Sequence, residues 1–252
     1  MGLNINNIQA TRNFNLLYVI LDCLFLIVLL GLFIYKKEWN TLKFSLFGGF
    51  LYFIVDYGYF HLISNSRKIM FDSKESETIM ALVLLWMSLS YGITNFAFIW
   101  LCLDKNKDLK YYLLLIIGWW LIAPSASNAM NSFPILTSRT TSKYHWIMAF
   151  MLIVGYIGVI IYNLIIKDKN KRVPIFHLIA IGVSVQFGWE ASLLINGIRP
   201  WNEQSFQTLI INSLIETNLG MPYIYIIWVK TSKQDSKVMD CQDKLALSFK
   251  GN

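Results

Sequence analysis

Residues 15–35 read NLLYVILDCLFLIVLLGLFIY, and the 20 positions from Leu16 to Tyr35 hold one charged side chain, Asp22. A helix of about 20 apolar residues matches the hydrocarbon thickness of a bilayer, whereas a soluble helix of this length would carry a polar face. The run ends in Lys36-Lys37 without a small-residue cleavage site, so a permanent helix is expected here rather than a signal peptide. The same length criterion predicts seven spans, at about 15–35, 41–63, 79–103, 111–130, 146–166, 173–198 and 208–229. The expected fold is all-α, a seven-transmembrane-helix bundle formed as one membrane domain over 1–230, followed by a polar tail at 231–252. In the fourth span Pro124 is followed by Ser125, Ser127, Asn128 and Asn131, which predicts a non-helical second half buried in protein.

The whole composition agrees with a membrane assignment. Of 252 residues 56% are apolar and only 15% charged, and the mean hydropathy is +0.48. An aromatic content of 15% argues against disorder, and three scattered cysteines, Cys23, Cys102 and Cys241, build neither a disulfide framework nor a zinc motif. The net charge of +7 lies in short clusters between apolar runs, which suits loops beside anionic lipid rather than nucleic acid, so membrane lipid is the expected partner and nucleic acid is not.

Lys and Arg also set the expected orientation. The 36–43, 105–110 and 167–172 loops and the segment after Val229 hold fifteen of the 22 basic residues; the opposite side holds seven, Arg12, Arg67, Lys68, Lys74, Arg139, Lys143 and Arg199. The positive-inside rule then puts the N-terminus outside and the tail in the cytosol. A multi-pass integral protein is expected, of the cytoplasmic membrane in a bacterium or the endoplasmic reticulum in a fungus; the many Ile, Asn and Lys residues suit the former.

Four spans contain an acid, at Asp22, Asp56, Glu190 and Glu216. Each costs a few kcal/mol in a bilayer, which makes each a functional candidate. Counted at about 1.5 Å per residue, all four fall roughly 9–14 Å below the outer surface, which predicts one polar layer. Around a common cavity, mutual repulsion and low dielectric would leave one carboxyl protonated and able to act as a general acid. Asp56, Glu190 and Glu216 are the catalytic candidates, and Asp22 is the expected bystander. Gln186 and Asn212 precede Glu190 and Glu216 by one helical turn and can fix their rotamers. Pro222 would free the Asn218 carbonyl and kink the last helix just below Glu216. Tyr52, Phe53, Tyr59 and Phe60 flank Asp56, and Phe187, Trp189 and Tyr223 lie nearby, so the layer is expected to be lined with π-surface rather than with basic groups, which suits a carbocation. His61, His145 and His177 lie near helix ends and read as interfacial.

Several chemistries lack their apparatus. The sequence holds no Gly-rich phosphate loop, Cys/His metal cluster, aspartate-rich diphosphate motif or nucleophile elbow, and the last span has no lysine for a retinal Schiff base. No metal and no cofactor are expected.

The arrangement resembles the seven-helix integral-membrane terpene cyclases of fungal meroterpenoid and indole-diterpene pathways and their bacterial relatives. Asp56 in Phe53-Ile54-Val55-Asp56-Tyr57-Gly58-Tyr59-Phe60-His61 corresponds to that family's helix 2 carboxylate, and Leu214-Ile215-Glu216-Thr217-Asn218-Leu219-Gly220-Met221-Pro222-Tyr223 looks like its final-helix acid segment. Thr94-Asn95-Phe96 is similar to a helix 3 Asn-Phe pair, and Arg199-Pro200-Trp201 to the helix 6–7 turn. The family's helix 2 motif is typically Trp-Glu where this chain has Val55-Asp56, and its last acid is typically Asp where this chain has Glu216; the Trp-Glu pair here is Trp189-Glu190, in helix 6. The resemblance implies protonation-initiated cyclisation of a prenyl or prenylated substrate, often an epoxide, with Asp56 or Glu216 as the donor and the other as the base. Glu190 with Gln186 would tune or orient the acid, and Tyr52, Tyr59, Phe60, Asn95, Gln186, Trp189, Arg199, Asn212 and Tyr223 would contact substrate. Two other readings stay open, a small transporter or proton-coupled carrier and a non-catalytic sensor or assembly subunit, and a lipid isomerase of the sterol-isomerase type would use the same kind of acids.

Overall fold

A computed structural model describes residues 9–72, 76–128, 133–140 and 144–232. Residues 233–252 of the tail expected at 231–252, and the residues Lys74, Asn131 and Lys143, lie outside the described residues, as does Cys241 within that tail. Among the described residues six helices are long and apolar enough to cross a membrane, which makes the fold a helical bundle consistent with a multi-pass membrane protein. They are α1 (Leu16–Tyr35), α2 (Trp39–Phe53, continuing as a π-helix over Ile54–Ile63), α3 (Glu77–Leu103), α4 (Leu109–Asn128), α5 (Tyr144–Ile165) and α6 (Ile175–Ile195). The seventh expected span is broken: α7 (Glu203–Ile215) ends at a turn over residues 216–220, and a further helix, α8, runs over 221–232.

Local chemistry explains these boundaries. Asn15 accepts from the Tyr18 amide at 2.8 Å and Asn202 from the Ser205 amide at 2.9 Å, so each asparagine caps a helix whose first amides lack partners. Pro222 lies in the first turn of α8, where a missing N–H costs nothing. The break falls where that proline predicts it, but the Asn218 carbonyl is not left free, because it accepts from the Met221 amide at 3.1 Å.

The fourth span departs from expectation. Helix α4 runs straight through Pro124 to Asn128. The carbonyl of Trp120, whose i+4 donor Pro124 removes, instead receives Asn196 Nδ2 at 3.4 Å, and the Ser125 and Ser127 hydroxyls donate to the carbonyls of Leu121 and Pro124 at 3.0 and 2.8 Å. The donor from the end of α6 replaces the lost bond, and the two hydroxyls add bonds to neighbouring carbonyls.

Helix α3 is the axis of the bundle, with 83% of its apolar span buried and α1, α2, α4 and α6 packed around it. Its closest neighbour is α2, where a Cβ added at Gly92 would stand 2.6 Å from the Gly49 Cα. Small residues are what permit two backbones to approach this closely. Helix α5, in contrast, buries only His145, Gly155 and Val159 fully and leaves most of its apolar side chains exposed.

One element was not anticipated from the sequence. Three segments expected as loops form an antiparallel sheet in the order β1 (Gln9–Asn15), β3 (Pro134–Thr140), β2 (Arg67–Phe71). It lies at the bundle end from which α1 and α3 begin, and β1 is tied further to the α6–α7 turn by the Asn13 amide donating to the Ile198 carbonyl at 2.9 Å. Side chains alternate across a strand, so Arg12 and Phe14, Arg67 and Ile69, and Ile135, Thr137 and Arg139 share the face turned toward the helices.

Candidate functional site

Beneath that sheet is a cavity of about 220 Å³. It is built from the end of α2, the middle of α3, α6 and the broken segment before α8. Leu51, Val55, Phe96, Ile99, Met148 and Ile224 give it an apolar side, while Asp56, Tyr91, Asn95, Gln186, Glu216, Arg12 and Arg139 form its polar roof. Asp56 lies in the π-helical stretch, a local widening of the helix that often accompanies functional residues. Glu216 is the residue at which α7 ends.

Arginines from the sheet reach both acids. Arg67 Nη2 donates to Asp56 Oδ2 at 2.6 Å, and the Tyr91 hydroxyl donates to the same oxygen. Arg139 donates to Glu216 and stands 3.8 Å from Asp56 Oδ1, while its guanidinium lies 5.1 Å over the Phe60 ring. Gln186 Nε2 donates to Glu216 Oε2 at 3.0 Å, and Thr217 Oγ1 donates back to Gln186 Oε1 at 2.8 Å. Burial works against the charge on Arg139, but the carboxylates of Glu216 and Asp56 outweigh it and hold the guanidinium above its ordinary range.

The expected lining of π-surface without basic groups is therefore corrected. The aromatic walls are present, with Tyr52 and Tyr91 edge to face at 4.8 Å and Trp189 at 6.3 Å from Tyr91, but guanidinium groups share the layer. An arginine beside each carboxylate removes the mutual repulsion on which the expectation of a neutral acid rested.

Glu190 belongs to a different assembly. It is fully buried and does not line the cavity. Arg199 grips it through Nε at 2.5 Å and Nη2 at 2.9 Å, Arg12 Nη2 and Asn212 Nδ2 each donate to it at 3.1 Å, and Gln186 Nε2 lies at 3.5 Å. This network fastens α6, its following turn, α7 and β1 together, so Glu190, Arg199 and Asn212 stand behind the site rather than in it. Because Glu190 is shared by two arginines, burial and the nearby Arg199 together hold Arg12 below the usual arginine value.

Of the other expected contact residues, Tyr52, Phe60, Asn95, Gln186 and Trp189 line the cavity. Tyr59 and Tyr223 do not: Tyr59 packs on Tyr144 at 5.4 Å, and the Tyr223 hydroxyl donates to the Met151 carbonyl at 3.1 Å. Asp22 is held apart by the indole N–H groups of Trp86 and Trp119 at 2.9 and 3.3 Å. Tyr91 and Met148 line the cavity with no signal in the sequence, Phe96 and Thr217 stand out there only within the segments that carry the resemblance, and Arg12, Arg67 and Arg139 read there only as loop charges. The alternation Ile135, Thr137, Arg139 was the available signal that these arginines sit on a strand with an inner face. Among the described residues no group of three His, Cys, Asp or Glu side chains is placed to hold a metal ion. No family model, curated protein or solved structure matches this chain.

Proposed function

We propose that the protein is a membrane-embedded enzyme that cyclises a prenyl chain by acid–base chemistry, in the manner of a protonation-initiated terpene cyclase. The observation that carries this reading is the cavity itself: two carboxyl side chains, Asp56 and Glu216, share a roof above a wall of apolar and aromatic side chains. A lipid-soluble chain fits such a wall, and Leu51 and Val55, which line it, are each also 39% exposed on the outer flank of α2, offering entry from lipid.

In the proposed reaction one of the two carboxylates, both ionised beside their arginines before the chain binds, takes up a proton from water on binding and gives it to an epoxide oxygen or a terminal alkene carbon of the chain. With an epoxide the C–O bond breaks, a neighbouring double bond closes onto the cation, and the other carboxylate removes a proton from carbon, so product and substrate are isomers. Tyr52, Phe96 and Trp189 face the developing charge with their π-systems. Arg139 adds an N–H donor beside the position of the oxygen, which makes epoxide opening better supported than alkene protonation, where no oxygen is present to receive it.

The reading treats α7 and α8 as two halves of a seventh crossing and puts the N-terminus and the sheet on the outer side. Four of the seven basic residues counted there, Arg12, Arg67, Arg139 and Arg199, are paired with carboxylates. The rule counts Lys and Arg whether paired or not, and the asymmetry of fifteen against seven stands.

The test is mass spectrometry of lipid extracts from cells supplied with prenyl and epoxyprenyl precursors, comparing wild type with Asp56→Asn and Glu216→Gln at matched membrane expression. A product isomeric with its precursor, absent from either variant, is expected. No product across several chain lengths would overturn the reading. A second reading then takes its place, favoured by the break of the last helix at Glu216: discontinuous helices with an acid at the break also build the sites of proton-coupled carriers. Proton flux into proteoliposomes, lost in Glu216→Gln, would support that one.

A further inference from the structure

The paired charges around the cavity do not balance locally. Asp56 and Glu216 answer Arg67 and Arg139, and Glu190 must answer both Arg199 and Arg12. Arg199 takes both oxygens of Glu190 and has the shorter contacts, while Arg12 Nη2 shares Oε1 with Arg199, Asn212 and Gln186. Arg12 is thus the guanidinium with the poorest counter-charge, and it is the one of that pair that lines the cavity. Its side chain is 8% exposed, and its Nε is buried with no hydrogen-bond partner, as is the Nε of Arg67. Asp22, the remaining acid within the spans, is engaged by two indole N–H groups and forms no ion pair among the described residues. A buried cation without its own anion is costly, and an anion brought by a ligand removes that cost.

From this arrangement we infer that the ligand of the cavity is an amphiphilic anion, an apolar chain ending in a carboxylate that sits at Arg12. The inference rests on the cavity being the substrate site and adds the charge of the substrate head to that reading. One negative charge matches the one under-compensated guanidinium. A diphosphate head carries more charge than the site can answer, and it would lie beside the carboxylates of Asp56 and Glu216 on the same roof. A carboxylate takes charge-assisted hydrogen bonds from a guanidinium, and Arg12 is the one under-compensated guanidinium that lines the cavity. The apolar chain then runs down the wall made by Leu51, Val55, Phe96 and Ile99.

Binding separates this inference from turnover. The full chain in nanodiscs of neutral lipid is titrated with a C15 isoprenoid carboxylic acid, its methyl ester, and the diphosphate of the same chain length. The acid is expected to bind at least about tenfold tighter than the ester, a difference of one charge-assisted interaction, and tighter than the diphosphate. In Arg12→Gln the acid-to-ester ratio falls to within about threefold of one, and Arg12→Lys, which keeps the charge without the planar fork, restores the preference in part. Equal binding of acid and ester by the wild type overturns the inference whether or not Arg12→Gln folds, as does a preference that survives in Arg12→Gln or a diphosphate that binds tightest. None of these results touches cyclisation, which is read from the products, and absence of products leaves the binding ratio readable.

Discussion

Arg67 and Arg139 stand directly opposite each other on neighbouring strands, and both guanidinium groups reach the same carboxylate, Asp56. Like charges in that register repel and destabilise a sheet unless something answers them. Asp56 does so from the π-helical end of α2, 2.6 Å from Arg67 and 3.8 Å from Arg139. The acid therefore holds the β2–β3 pair together as well as facing the cavity.

Removing the charge of Asp56 leaves two guanidinium groups, each with its side chain at most 12% exposed, facing each other with less compensation. Asp56→Asn is expected to lower stability by about 3–5 kcal/mol, the usual consequence of deleting one partner of a buried pair. Arg67→Gln in the same chain should recover part of the loss by relieving the repulsion. Thermal unfolding in detergent of the two single variants and the double variant measures this, and strictly additive losses would refute the coupling.

The Trp120 carbonyl makes a second, independent case. Pro124 removes its helical donor, and Asn196 of the α6 end supplies one at 3.4 Å while also donating to the Ser192 carbonyl at 2.8 Å. Asn196→Ala should destabilise by about 1–3 kcal/mol, since a buried acceptor loses its partner. Adding Pro124→Ala restores a backbone N–H four residues after Trp120 and is expected to win back part of that loss. Equal melting temperatures for Asn196→Ala with and without Pro124→Ala would show that the carbonyl was not the cause.

The two cases indicate what the sequence could carry. The apolar runs were legible because their length and composition are those a bilayer-crossing helix needs, and the first, second, third, fifth and sixth helices lie close to where hydropathy put them. The path of α4 through Pro124 was not legible, because the residue that replaces the lost donor lies 76 positions beyond Trp120. Depth within the apolar runs points to Asp56, Glu190 and Glu216 without their partners, since Arg12, Arg67 and Arg139 sit in segments of five to seven residues too short to read as strands. Pairing is a property of the sheet, and its strands come from three separate loops.

Close helix contact gives a prediction on the scaffold. Gly92→Ala would put a Cβ 2.6 Å from the Gly49 Cα and 2.9 Å from the Gly48 carbonyl oxygen, backbone atoms that cannot turn aside as a side chain would. Helix α2 must then shift, carrying Asp56 with it, and a loss of about 1–3 kcal/mol is expected from overpacking. Gly31→Ala in α1 and Gly118→Ala in α4 meet nothing within 4 Å and should leave the melting temperature unchanged or slightly raised. A tolerated Gly92→Ala would mean that α2 and α3 are not in contact there.

Glu190 and Glu216 should separate by the kind of damage their loss causes. Glu190→Gln leaves Arg12 and Arg199 sharing no carboxylate, and the turn after α6 loses the anchor that ties it to β1 and α7, so a drop of about 3–5 kcal/mol in stability is expected. On the proposed cyclisation the folded fraction should still form product, because Glu190 does not reach the cavity. Glu216 is partly exposed to that cavity and has Arg139 and Gln186 as partners, with Arg139 keeping Asp56 nearby as a second anion. Glu216→Gln should therefore fold in good yield while lowering product per folded molecule by about a hundredfold or more, the usual scale for removing a general acid or base. Product quantified per unit of monodisperse protein, beside the melting temperature of each variant, distinguishes them. A stable, inactive Glu190→Gln would place Glu190 among the reacting groups and sink the assignment of Glu190 as a buried brace.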